Sequence, residues 1–590
     1  MRKTDDKLHG VAPIPTHGAT YNEISVQKIK NTKKYNKTKK KEYHGTMAKR
    51  FGVMLDMSRN AVMRPDELKK YIKTLADFGY NMVQLYTEDT YEVEGEPYFG
   101  YLRGRYSAEE LRDVVDYAES LGVEVIPCIQ TLAHLNCIFN WKKYAEMLDT
   151  HDILMADDER TYEFIENMFK SLRKCFKTDI VHIGMDEAFM LGLGKHLEKH
   201  GFENRFDIIY RHLKKVIAIS EKYGFRPIMW SDMFFRLANG GNYYDWTNIT
   251  DEVIAACPDG VDLVYWDYYH TEKSFFDGMI AAHRKFGRDV WFAGGVWTWG
   301  ANSPLATFSN NSMSKAMAAC SEANVENVMF TMWGDNGREC SFWSVLPTLY
   351  YLKRYHDGER DMDKIRREFY EITGEDFDAM TDLELPNMVA GNRRESPSNV
   401  AKVMLFSDPL LGFLDVTVKD GVGREYASHR DKLREYAKKS GQFGYIFDTL
   451  AHLCNVLEIK YGIGAAIRRA YKEGDRQALA ALADDARECA RRVRDFHAAF
   501  SIQWHKENKP HGFEIHDSRL GGVSLRLESV AARIDAYLAG NVPTLEELDE
   551  ELLPYALSHD QRHVINGTPG TEGIPNFDTQ IHAFTVGRTS

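Results

Sequence analysis

Residues 51–87 read FGVMLDMSRNAVMRPDELKKYIKTLADFGYNMVQLYT. Two short apolar runs, FGVMLDM (51–57) and NMVQLYT (81–87), flank PDELKKYIKTLADFG (65–79), whose apolar residues recur at helical spacing and which ends on the glycine that a left-handed helix cap prefers. The stretch therefore predicts a strand, a helix and a second strand. The alternation continues outward through VEVIPCIQ (123–130), DIVHIGM (179–185), RPIMWSD (226–232), VDLVYWD (261–267), DVWFAGGVW (289–297) and ENVMFTMWG (326–334), making eight runs in all. AEELRDVVDYAESLG (108–122) is a second legible helix ending on glycine. Near-continuous apolar strands are buried on both faces, as in a parallel sheet, and eight strand-helix units in succession close a barrel. The expected fold is α/β, a (β/α)8 TIM barrel over residues 47–350 followed by a mainly helical C-terminal domain over 351–590 with an extended tail.

Three further stretches frame that reading. Residues 1–46 are polar, with a lysine cluster at 33–41, and are expected to be a disordered leader or the remnant of an upstream extension. Segments such as REYASHRDKLREYAKKSG (424–441) and the Ala- and Arg-rich 476–505 carry the helical periodicity of the C-terminal domain. WHKENKPHGFEIHDSRLGG (504–522) reads as non-helical, either a lip over the barrel mouth, a contact in a homodimer, or a long surface loop.

With 590 residues, 44% of them hydrophobic, the chain can bury a large core, and its net charge of −12 disfavours a surface built to hold nucleic-acid phosphates. A neutral partner such as a glycan suits it better, with no nucleic acid and no membrane. Eight scattered cysteines (Cys128, Cys137, Cys175, Cys257, Cys320, Cys340, Cys454, Cys489) show neither paired nor zinc-like spacing. Together with the lack of an apolar signal stretch, they set the expectation of a cytoplasmic protein without metal or other cofactor.

In such a barrel the active site lies at the C-terminal ends of the strands. Those ends offer Arg59; Glu88 and Asp89; His134; Asp186 and Glu187; Trp230 and Asp232; Trp266 and Tyr268; Trp297 and Trp299; and Trp333 and Asp335. Repeated indoles suit the apolar face of a pyranose, while carboxylates and an arginine take its hydroxyls. Alternation along the fourth run puts His182, Gly184 and Asp186 on one side, with Glu187 where strand gives way to loop. Two carboxylates can serve as acid and nucleophile; in the substrate-assisted alternative, the sugar's own acetamido oxygen attacks and one carboxylate only orients it.

HIGMDEAF (182–189) resembles the strand-four signature of glycoside hydrolase family 20, the β-N-acetylhexosaminidases, in a compact branch with a helical C-terminal domain. The resemblance covers the barrel and implies a retaining exo-glycosidase acting on terminal β-linked N-acetylhexosamine through an oxazolinium intermediate. It implies Glu187 as general acid/base and Asp186 as the group holding the acetamide. GVMLDMSRN (52–60) implies that Arg59 binds ring hydroxyls, IPCIQTLAHL (126–135) puts His134 beside the pair, and MWGD (332–335) gives Asp335 the 4- and 6-hydroxyls. Trp230, Trp266, Trp297 and Trp333 then wall the sugar. The family's usual Trp-Gly-Glu is Trp333-Gly334-Asp335 here, one methylene shorter, which leaves the gluco or galacto preference open. The tyrosine that caps the acetamide is assigned to Tyr268, with Tyr269 as the competing choice. Rival readings are a glycosidase with two separated carboxylates, a metal-dependent hydrolase using His134, His182 and Asp186, and a sugar-binding barrel without turnover.

Overall fold

The computed structural model describes residues 48–390, 399–412 and 414–553. The expected leader at 1–46 and the tail beyond 553 lie outside them. Eight parallel strands close into a barrel: β1 (Arg50–Asp56), β2 (Met82–Tyr86), β3 (Glu124–Cys128), β4 (Ile180–His182), β5 (Arg226–Trp230), β6 (Asp262–Asp267), β7 (Val290–Gly295) and β8 (Asn327–Met332). β8 returns to pair with β1, from Arg50 against Asn327 to Leu55 against Met332. Every residue of β2, β7 and β8 is buried, as strands enclosed between a packed barrel interior and outer helices must be.

The outer layer includes α1 (Pro65–Phe78), α2 (Ala108–Ser120), α3 (Glu159–Cys175), α4 (Arg205–Lys222), α5 (Asp232–Ala238), α6 (Lys273–Arg284), α7 (Ala306–Glu322) and α8 (Leu346–His356). Local chemistry fixes their ends. Pro65 starts α1, and Gly79, at φ +91°, ends it with its N–H on Ala76 O. Ser107 and Glu110 form a reciprocal capping box at the start of α2.

The C-terminal region is helical, with α9 (Val400–Phe406), α10 (Val422–Lys439), α11 (Gly444–Lys460), α12 (Arg476–Glu507) and α13 (Phe513–Leu538) as its principal members. One hydrophobic core runs from the barrel strands into α9–α13, and a smaller cluster built on Leu410, Ile463, Leu479 and Ile534 sits apart from it. No described helix is long and apolar enough to cross a membrane.

Residues 504–522 correct the sequence reading. Only 508–512 break the helix; the stretch otherwise ends α12 and begins α13. Its composition misled because several of its polar and aromatic residues are buried rather than solvated. Trp504 and Arg519 are 1% exposed, and His516 is 2% exposed. Lys509 N–H donates to Val62 O at 2.8 Å, and Asn60 Nδ2 donates to Gly512 O at 2.8 Å. Its buried side chains pack inside its own chain, while His505, Lys506, His511, Glu514, Asp517 and Ser518 remain exposed.

Candidate active site

At the C-terminal ends of the strands lies a cavity of about 680 Å³. Arg59, His134, Asp186, Glu187, Trp230, Trp266, Tyr268, Trp297, Trp333 and Asp335 all line it. The loops that deliver them leave the strands abruptly. Glu88, His134, Met185, Glu187 and Asn336, which follow β2, β3, β4 and β8, all have positive φ between 39° and 70°. For residues with a side chain this conformation costs about 1–3 kcal/mol each and collects at functional sites.

The segment after β4 is the sharpest case. The strand ends at His182, so the side-to-side alternation expected through Asp186 does not operate; a coiled turn takes over. Gly184 sits at φ +69°, where a Cβ would meet Gln130 Oε1 at 2.1 Å. That closeness lets Gln130 hold two points of the turn: Met185 N–H donates to its Oε1 at 3.2 Å, and its Nε2 donates to Asp186 Oδ1 at 2.8 Å. Gln130 Nε2 also donates to the Tyr86 hydroxyl at 2.9 Å.

Asp186 and Glu187 therefore face the cavity in different electrostatic surroundings. Burial pushes the Asp186 carboxyl up, but the charge and hydrogen bond of His134 and the Gln130 amide outweigh it and hold it down at about 2. His134 Nε2 lies 3.2 Å from Asp186 Oδ2. Burial lowers the His134 imidazolium, and the Asp186 carboxylate more than reverses this, raising it to about 9. Glu187 is raised, first by burial and then, against the pull of His134, by Asp186; Arg236 lowers it and Asp335 raises it. The Glu187 backbone N–H donates to Asp232 Oδ2 at 3.0 Å, the atom that also accepts from Arg236 Nε at 3.0 Å. Arg236 Nη2 reaches Glu187 Oε1 at 3.4 Å. Burial and the nearby Asp186 push Asp232 up to about 7.

A second cluster lies across the cavity. Arg59 Nη1 donates to Glu88 Oε1 at 2.7 Å, and the Tyr86 hydroxyl donates to the same oxygen at 3.0 Å. The guanidinium lies over the Tyr86 and Trp333 rings, 5.2 and 5.3 Å from their centroids. Its Nε is buried without a hydrogen-bond partner among the described residues, 3.6 Å from Asp335 Oδ1. Arg59 and the partly exposed Asp335 carboxylate thus present a donor and an acceptor side by side.

Aromatic rings form the walls. Tyr268 stacks on Trp266 with centroids 5.2 Å apart and meets Trp299 edge-on, while Trp297 and Trp299 stack at 4.0 Å. Tyr268 is 6% exposed, whereas Tyr269, 48% exposed, stands at the rim. Both line the cavity. His182 packs under Trp230 at 4.4 Å; burial depresses it to about 3. Glu88 and Asp89, at the second strand end, serve Arg59 and Arg103 rather than the cavity.

Sequence reasoning assigned no role to Gln130, Arg236, Asn336 or Asn399. Gln130 was findable as the polar side chain closing the third apolar run, and Arg236 by its helical i,i+4 spacing from Asp232. Asn399 reaches the cavity from the C-terminal region, donating Nδ2 to Gly300 O at 3.0 Å, and no local pattern announces such a contact.

Two family models match the chain, "Glycosyl hydrolase family 20, catalytic domain" over residues 50–279 and "Glycoside Hydrolase 20C C-terminal domain" over residues 375–566. Among curated relatives, "Probable beta-hexosaminidase" of Arthroderma benhamiae is 22% identical over 256 residues, covering 36% of this chain and 41% of that protein. "Beta-hexosaminidase subunit beta" of Rattus norvegicus is 23% identical over 213 residues, 31% of this chain and 38% of that one. The match thus spans about two fifths of these relatives' length. Among solved structures, a GH20 exo-β-N-acetylglucosaminidase from Vibrio harveyi, in complex with N-acetylglucosamine, aligns with a TM-score of 0.43 at 16% identity, covering 57% of this chain and 58% of that one. With a catalytic-domain match across β1–β6 and a second match across the helical region that packs on the barrel, the chain belongs to glycoside hydrolase family 20.

Proposed function

We propose that this chain is a retaining exo-glycosidase that removes terminal β-linked N-acetylhexosamine from glycans or glycoconjugates by substrate-assisted catalysis. The observation that carries the reading is the split within one adjacent pair: Asp186 is held ionised by His134 and Gln130, while Glu187 beside it is pushed toward its protonated form.

In the first step Glu187 gives its proton to the glycosidic oxygen. The acetamido carbonyl oxygen of the same sugar forms a bond to the anomeric carbon as the bond to the leaving oxygen breaks. Asp186, with one oxygen held by Gln130 and the other beside His134, accepts the acetamide N–H and offsets the positive charge that grows on the oxazolinium ring. In the second step the Glu187 carboxylate takes a proton from water, whose oxygen attacks the anomeric carbon and reopens the ring. Two displacements at one carbon retain configuration. Tyr268, buried against Trp266 and Trp333, is the tyrosine assigned to cap the acetamide, and Trp230, Trp266 and Trp333 exclude water around it. Arg59 and Asp335 take ring hydroxyls.

The test is release of p-nitrophenol from the β-GlcNAc and β-GalNAc aryl glycosides, with the plain β-galactoside alongside. Hydrolysis of the N-acetyl substrates and inhibition by a thiazoline analogue are expected. Turnover of the galactoside without an acetamido requirement would overturn the mechanism in favour of two separated carboxylates.

A further inference from the structure

The loop that carries Asp335 is bent hard. Asn336, Gly337 and Arg338 follow it with φ of +64°, +124° and +60°, three successive left-handed conformations, and the Gly337 carbonyl accepts from Asn60 Nδ2 at 3.5 Å. Both carbonyls end on donors from the C-terminal helices. Lys402 Nζ, on α9, donates to Asn336 O at 2.7 Å. From α13, Arg519 Nη1 donates to the same oxygen at 2.8 Å and Nη2 donates to Asn336 Oδ1 at 3.1 Å. His516, also on α13, lies 2.8 Å by Nε2 from Gly337 O. Lys402 is 0% and Arg519 1% exposed, and both cations face one carboxylate, Glu339, at 2.9 and 3.6 Å. The fit is tight enough that a Cβ at Gly337 would stand 2.6 Å from Arg519 Nη1.

We infer that Lys402 and Arg519 are positioning residues for sugar recognition: the C-terminal helices set the reach of Asp335 into the cavity by clamping the carbonyl of the next residue. The inference rests on the hexosaminidase reading for the identity of the sugar. Two buried cations converge on a single carbonyl, and charge-assisted bonds of this kind are about twice as strong as neutral ones. The loop's other anchors come from the barrel: Gly300 N–H donates to Asp335 O at 3.2 Å and Gly334 N–H donates to Asp56 Oδ2 at 2.8 Å. Without the clamp Asp335 keeps those anchors but loses the one that fixes its far side. Because Asp335 touches the sugar both before and during reaction, loosening it weakens binding more than chemistry.

The test compares wild type, Lys402→Met, and Lys402→Met combined with Glu339→Gln, which removes one buried cation and one buried anion together and so preserves folding where the single variant does not. Each is assayed for kcat and KM on the aryl β-GlcNAc substrate and for N-acetylglucosamine affinity by calorimetry, in the native and the Asp335→Ala background. Expected is a rise in KM and in sugar Kd of about tenfold with kcat within about twofold, and no further rise once Asp335 is alanine, as coupled residues show. Arg519→Lys, which keeps the charge and loses the second hydrogen bond, should fall between. Unchanged KM and Kd in the double variant, or a full additional effect in the Asp335→Ala background, would overturn the inference. A wild type that binds the sugar without hydrolysing it would sink the hexosaminidase reading instead, and the Kd comparison would still judge the clamp.

Discussion

Asp186 and Glu187 are adjacent in the chain and opposite in their proton affinity, and the single-residue predictions follow from that. Glu187→Gln removes the only proton that the leaving oxygen receives, so kcat on alkyl-like leaving groups should fall about 10²–10⁴-fold. Asp186→Asn should cost about 10²–10³-fold on N-acetyl substrates. Steady-state rates beside melting curves separate these losses from unfolding, and near-native turnover in either variant would refute the assigned role. Arg236 lowers Glu187 through its 3.4 Å contact. Activity requires protonated Glu187 and is lost as pH rises through its pKa. Arg236→Met should therefore move the alkaline limb of the kcat/KM profile to higher pH, and a limb that stays put or moves down would contradict the contact's role.

The His134–Asp186 pair also ties stability to pH. His134 is raised from 6.5 to about 9 on folding, so its contribution is complete below 6.5 and is lost as pH rises through 9. Asp186 is lowered from 3.8 to about 2, so its contribution is complete above 3.8 and is lost as pH falls through 2. Between pH 3.8 and 6.5 both are present in full. Denaturant melts of His134→Ala should show a flatter decline between pH 6.5 and 9 than the native chain; parallel declines would show that the pair contributes nothing there.

Among the elements, the turn after β4 does most to build the site. Gly184→Ala forces a methyl against Gln130 in a left-handed backbone conformation, which displaces the amide that steadies both Met185 and Asp186. The expected result is a loss of about 1–3 kcal/mol of stability together with a drop in kcat larger than any neutral barrel substitution produces. The same turn shows where sequence reading stops. The eight strands were legible because burial on both faces leaves a continuous apolar run, and the ten predicted site residues fall in one cavity because strand ends converge in a barrel. Alternation past His182 failed since a three-residue strand gives way to glycine-permitted bends, and side-chain direction there depends on φ rather than parity. Residues 504–522 failed for a related reason. Polar side chains such as Arg519 and His516 read as solvated when their partners, the carbonyls of Asn336 and Gly337, lie about 180 positions away.

On the scale of the whole molecule, barrel and helices share one core, so neither half is expected to fold alone. Trp504 and Phe513 of α12 and α13 belong to the same cluster as Val53 and Leu55 of β1, and Met63 pairs with Asn508. A chain ended after α8, near residue 360, would expose the apolar surface that α9–α13 cover. Its expected behaviour is aggregation or a non-cooperative melt, where an independently folded barrel would give a sharp transition. The chain carries ten tryptophans, and Trp230, Trp266, Trp297, Trp299 and Trp333 all border the cavity. Half of the molecule's indole fluorophores are thus gathered where a sugar would displace water. Light emitted by the unlabelled protein should shift in wavelength and intensity as the cavity fills, so the occupancy of this pocket can be followed optically with no chromogenic substrate at all.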